Sequence, residues 1–238
     1  SLSGEISGNA VIATNKAGYW AEACGGGLYS NNIDTISGPI SDNGAVAVNE
    51  SGNLATAHGG GVYVYNIANL SGELSGNTAA AISDSGNVEA FGGGGYLEYR
   101  IDALLGRVID NTVFAKSNTG EALAYGGGIE AWGGIDILAG QVSGNTALAV
   151  SGTGYAEADG GGLDANSINI LSGDIASNTA IAVTDTGEAT ALGGGMYIEE
   201  NVETLSGQVL DNTASAISMD GNAYAYGGGV DALDIIAF

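Results

Sequence analysis

Apolar positions in this chain recur with a long period. If the Leu of "LSGEISGN" (2–9) is the origin, equivalent phrases begin at Leu2, Ile36, Leu70, Leu104, Leu138, Leu171 and Leu205, spaced by 34 residues five times and 33 once. Three residues before each later start stands a β-branched residue: Ile33, Ile67, Ile101, Ile135, Ile168 and Val202. Four after the start comes another aliphatic residue, from Ile6 to Val209, and eleven after it always Ala, from Ala13 to Ala216. The polar columns are as regular. Gly falls two after each start (Gly4 to Gly207), and Asn falls seven after (Asn9, Asn43, Asn77, Asn111, Asn145, Asn178 and Asn212). An unvarying Gly then marks a turn (Gly18, Gly52, Gly86, Gly120, Gly154, Gly187 and Gly221), before an Ala-x-Ala arm and a Gly triplet.

Self-similarity at this period signals a solenoid or a propeller. A propeller blade needs four antiparallel strands and about 40 or more residues, and blades pack through aromatics; this chain has two Trp and three Phe. Columns of identical residues are explained if successive coils stack in register about 4.8 Å apart. Stacked aliphatics make the core, and each Asn can pass its amide to the Asn of the neighbouring coil and so satisfy polar groups at a buried corner. No window shows a 3.6-residue period, and the glycine content opposes helix. The stretches "ALAV-SGTG-YAEAD" and "AIAV-TDTG-EATAL" predict an arm that folds back on itself with Ala facing Ala, its turn glycine adopting positive φ. The expected fold is all-β: one domain over 1–238, a single-stranded parallel β-helix of seven coils of about 34 residues, each with a projecting β-hairpin arm.

The matches "ISGN" (6–9), "LSGN" (74–77), "VSGN" (142–145) and "IASN" (175–178), paired with "GGGL", "GGGV", "GGGI" and "GGGM", resemble the repeats of chlamydial polymorphic outer membrane proteins and related adhesin-like proteins. That family writes its motifs F-x-x-N and G-G-A-I; here the aromatic is Ile, Leu or Val, and the Ala is Gly. The resemblance runs through all seven repeats. It implies a right-handed parallel β-helix, exported and displayed at the surface, with adhesive or structural work and no catalytic residue.

Charge narrows the partners. With 27 acidic against four basic residues (Lys16, Arg100, Arg107 and Lys116), the net charge is −23. No basic patch for nucleic acid can be assembled, and an anionic membrane surface would be repelled. The acidity reads as solvation of a Gly/Ala-rich surface, with a salt-rich habitat or Ca²⁺ bridging of neighbouring carboxylates as sharper readings; no calcium-loop motif is present, and no cofactor is expected. Cys24 is the only cysteine, so there is no intrachain disulfide. No apolar stretch approaches a membrane span. The chain opens on Ser1 without Met or signal peptide, as expected of a processed product or a stretch of something longer.

Individual residues suggest little chemistry. The acids appear spread rather than clustered in adjacent coils, and no long loop interrupts the repeat, so no enzyme is expected. His58 shares its slot with Cys24, Phe91, Tyr125, Asp159, Leu192 and Tyr226, a variety that predicts an outward position. Tyr63, Tyr65, Tyr96, Tyr99, Tyr197, Tyr224 and Tyr226 make patchy columns, read either as sugar- or partner-binding strips or as ordinary outer-face aromatics. Asn49 and Asn69 open N-x-S triplets that fit the glycosylation pattern. Ser1 and Phe238 sit at the same phase of the coil and neither end carries a cap. The expectation is therefore an extracellular structural solenoid whose copies stack end to end, a heterologous contact that builds filaments. The alternative is a surface adhesin binding glycans, and the third reading is a polysaccharide-active enzyme.

Overall fold

The computed structural model describes residues 1–237; Phe238 lies outside the described residues. The chain climbs through seven coils, and each contributes one strand to each of four parallel sheets, with a broken strand in two coils of the fourth. A short body sheet runs from Ile6–Ser7 to Gln208–Leu210. The first arm sheet runs from Ala10–Asn15 to Thr213–Ser218, and the second from Trp20–Cys24 to Ala223–Tyr226. A long body sheet runs from Leu28–Ile36 to Val230–Ala237. No helix is present among the described residues, so none is long and apolar enough to cross a membrane.

The sequence columns are the ladders of these sheets. Ile33, Ile67, Ile101, Ile135, Ile168 and Val202 pair in unbroken register. Their side chains and those of the short body sheet form one aliphatic core. A second, separate core is nearly all Ala and lies between the two arm sheets. Ala has no side chain beyond Cβ, so Cα atoms of facing limbs come within 8 Å of each other, closer than the ~10 Å of ordinary stacked sheets. The two limbs of one arm do not pair through their backbones; each pairs with the same limb of the coils above and below. The arm is thus an arch closed by side chains, where a hairpin in the strict sense would be closed by backbone bonds.

The Asn ladder forms as expected. Asn77 donates its backbone N–H and its amide to Oδ1 of Asn111, both at 3.0 Å, and also donates to the Ile40 carbonyl at 2.9 Å. The residue before each ladder Asn is left-handed, with φ between 54° and 68°, which is why that column holds Gly8, Asp42, Gly76, Asp110, Gly144, Ser177 and Asp211. The turn glycines correct the sequence expectation: none of Gly18 to Gly221 has positive φ. They are invariant because a Cβ there would meet the carbonyl of the turn glycine one coil below, as at Gly86 against Gly52. A second polar ladder closes the arm tip. Ser117 Oγ donates to the Gly86 carbonyl at 2.7 Å and accepts from Gly120 N–H at 2.8 Å, a pattern repeated at Ser151.

Asn49 belongs to this tip ladder, and that rules against its reading as a glycosylation acceptor. It is fully buried; its amide donates to the Leu54 carbonyl at 2.9 Å, and its Oδ1 accepts from Gly52 N–H at 2.9 Å. Asn69 lies inside the strand Val62–Leu70 with its amide oxygen buried, not on the exposed loop that modification requires.

Candidate binding groove

The Gly triplet shapes the candidate site. Its first residue is left-handed in every coil (Gly25, Gly59, Gly92, Gly126, Gly160, Gly193 and Gly227), turning the chain sharply from the second arm sheet into the long body sheet. Its second packs on the backbone where the first arm sheet begins, and its third on the ladder Asn; Gly60 and Gly61 do this against Thr78 and Asn77. No side chain fits there, so the arm leaves the body at a tight re-entrant corner. The residue just before the triplet and the second residue after it face each other across that corner, as His58 does Tyr63 and Asp159 does Asp164.

In the lower coils this groove is aromatic. Tyr29 stacks on Tyr63 at 4.8 Å between ring centroids, and Tyr63 lies 5.2 Å from Tyr96. Opposite them His58 stacks on Phe91 at 4.9 Å, and Phe91 lies 5.5 Å from Tyr125. The slot shared by Cys24, His58 and Asp159 is therefore not outward as expected. It points away from the Ala core but into a corner covered by the long body sheet.

In the fourth and fifth coils the same two columns become acidic. A cavity of about 460 Å³ is lined by Glu130, Asp164, Asp159, Tyr125, Trp132 and Tyr197, among others. Asp159 is 4% exposed, Glu130 6% and Asp164 8%. Glu130 Oε2 and Asp159 Oδ1 are buried without hydrogen-bond partners. The sequence expectation that acids do not gather in adjacent coils is overturned here: Glu130 and Asp164 pair directly in the long body sheet, and Asp159 faces them across the triplet. The repeat also breaks locally. The long body sheet is interrupted between Ile129–Ala131 and Ile135–Leu138, where Trp132, Gly133 and Gly134 form a turn, and again at Asn166–Ser167.

Burial pushes all three carboxyls well above the usual range. For Glu130 the neighbouring Asp164 adds to it, for Asp159 Glu157 and Asp164 do, and for Asp164 Glu199 and Glu157 do. No cation offsets this: Arg100 pairs with Asp102 and Asp136, and Arg107 with Glu73. Burial thus favours the neutral form of these acids, in which each has an O–H to donate as well as oxygens that accept. Tyr125 adds a hydroxyl that donates to Glu157 at 2.8 Å. Among the described residues, these carboxylates do not converge closely enough to surround one ion; the group whose ligand atoms all lie within 4.8 Å of one another is Glu22, Cys24 and His58.

Because these carboxyls hold their protons more tightly folded than unfolded, their stabilisation is full below the ordinary carboxylate range. It is lost as pH rises through their elevated folded values. Thermal midpoints should fall from mildly acidic to mildly alkaline pH, and a Glu130→Gln, Asp159→Asn double variant should flatten that slope and melt higher than the parent at the alkaline end. A midpoint that rises with pH in the parent chain would contradict the burial.

The cluster was missed because the acids were sought along the chain. The signal lies across it: aligning the column Tyr29, Tyr63, Tyr96, Glu130, Asp164, Tyr197 and Asp231 puts two acids on adjacent coils. Compared with known proteins, the chain matches no family model, no curated protein and no solved structure.

Proposed function

We propose that the chain is a rigid, exported β-solenoid that binds an uncharged glycan along the groove between arm and body. One observation carries this reading: Trp132 remains 61% exposed beside a cavity lined by carboxyl groups and tyrosine hydroxyls. Exposed ring faces suit the apolar faces of sugars, and convergent donors and acceptors suit their hydroxyls. The charge of −23 disfavours an acidic polysaccharide. Catalysis is not part of this reading.

Affinity electrophoresis in gels carrying neutral polysaccharides (a β-glucan, a xylan, a mannan) tests it. The parent should be retarded by at least one of them, and Trp132→Ala, which removes an exposed ring that meets Tyr96 edge-on, should weaken binding about tenfold, or ~1.4 kcal/mol. Asp159→Asn should bind as well as the parent, because the amide keeps a donor and an acceptor. Absence of retardation in every gel, or retention untouched by Trp132→Ala, defeats the reading.

A structural role, with copies stacked into a filament or stalk, draws support from the ladders: the short body sheet and both arm sheets run parallel through every coil, and the long body sheet does so with two register shifts, so a further coil could continue each of them. Electron microscopy of the same unliganded material separates the roles, since filaments with an axial repeat near 33 Å, from about 4.8 Å per coil, belong only to the second.

A further inference from the structure

We propose that Glu22, Cys24 and His58 form a binding site for a divalent ion of the zinc class, at the lower end of the groove and apart from the acidic cavity. Glu22 and Cys24 are two apart on the strand Trp20–Cys24, so both side chains leave the same face. Cys24 pairs in register with His58 of the next coil, which places the imidazole directly beside the thiol. Cys24 Sγ lies 3.5 Å from Glu22 Oε1, and His58 Nε2 lies 4.0 Å from the same oxygen. All three ligand atoms lie within 4.8 Å of one another. Ligand atoms around a tetrahedral zinc ion are separated by roughly 3.3–3.7 Å, given bond lengths of about 2.0–2.3 Å. Closing the observed set onto an ion therefore needs small side-chain adjustments only.

The surroundings favour a metal over a purely structural role. His58 Nε2 is beyond hydrogen-bond reach of Glu22, and Nδ1 is buried with no partner. A mostly buried imidazole without hydrogen bonds is costly; an ion at Nε2 would give the ring one strong interaction, on the nitrogen that faces Glu22 and not on the buried Nδ1. The ring is already fixed: it stacks on Phe91, meets Tyr96 at 4.7 Å and takes Tyr63 edge-on at 5.8 Å. Without an ion, burial holds the thiol protonated up to about 12 and the imidazole neutral down to about 4. The histidine lone pair is thus free at neutral pH, and the thiol proton is released when the ion binds. A sulfur, a nitrogen and one carboxylate form a borderline-soft donor set that selects zinc-class ions over Ca²⁺ or Mg²⁺. Three protein ligands would leave the fourth tetrahedral position open.

Cobalt(II) titration of the reduced, tag-free chain is the direct test, because a thiolate-to-cobalt charge-transfer band reports the sulfur bond and the visible bands report tetrahedral geometry. The expected result is one equivalent of Co²⁺ bound with both signatures, displaced by Zn²⁺ and not by excess Ca²⁺. Cys24→Ser should remove the charge-transfer band, and His58→Gln and Glu22→Gln should each weaken Zn²⁺ binding by about tenfold or more, with the far-ultraviolet circular dichroism unchanged. Absence of the band in the parent overturns the proposal. So does a band whose affinity ignores both His58→Gln and Glu22→Gln, which would mean a lone thiol. Zn²⁺ binding equal in all three variants would place the ion on the groove acids and overturn it too.

Discussion

Gly127→Ala should destabilise the chain by about 3 kcal/mol or more, a large effect for a single methyl group. Gly127 is the middle residue of the fourth triplet, and a Cβ on it would overlap the carbonyl of Gly161 in the next coil and lie 2.7 Å from the Thr146 carbonyl. Both obstacles are backbone. Neither can rotate away as a side chain would, and each is fixed by its own ladder bonds to the following coil. The conformation is not the difficulty, because Gly127, unlike Gly126 beside it, has no positive φ. Gly44→Ala is the matched control: the nearest atom to its Cβ would be 3.9 Å away. That change should be neutral or stabilise by about 0.5–1 kcal/mol. Urea denaturation followed by circular dichroism measures both, and equal midpoints for the two variants would contradict the close packing of the corner.

Asn111→Ala should cost about 3–5 kcal/mol. Its side chain sits at the centre of the ladder and is wholly buried. Oδ1 accepts from the backbone N–H and the amide of Asn77, both at 3.0 Å, and Nδ2 donates to the Leu74 carbonyl at 2.9 Å and to Asn145 Oδ1 at 3.0 Å. Truncation strands the Asn77 N–H and the Leu74 carbonyl without water or another partner, at ~1–3 kcal/mol each, and opens a cavity besides. Asn9→Ala, at the exposed bottom of the same ladder, should cost no more than about 1 kcal/mol. Amide hydrogen exchange would show where the loss falls, since stability in stacked repeats is carried between neighbours. A central substitution as mild as the terminal one would mean that the ladder is decoration.

How much of this was legible follows from what each column does. The aliphatic, Asn and Ala columns could be read because their roles are set by the coil's own geometry and repeat in every copy. The conformation of the turn glycines could not. A glycine required for close approach and one required for positive φ look alike in a sequence, and Gly52 and Gly59 differ only once the neighbouring carbonyls are placed. The tip ladder of Asn49, Ser83 and Ser117 escaped notice because Asn, Ser and Thr substitute for one another in it, each supplying one acceptor to the turn. The groove escaped for the opposite reason. Its residues vary from coil to coil, and only the tight corner at the glycine triplet shows that Asp159 and Asp164, five residues apart, face each other.

The triplet corner has one more consequence. Everything that builds the coil is repeated, whereas the pair of side chains flanking the triplet is free to differ in each coil without disturbing its neighbours' backbone. The groove is therefore laid out like a line of movable type, one exchangeable pair every ~4.8 Å. The existing text, aromatic in the lower coils and acidic in the middle ones, is a single setting of that line. New recognition could be composed in the same frame by changing one pair at a time.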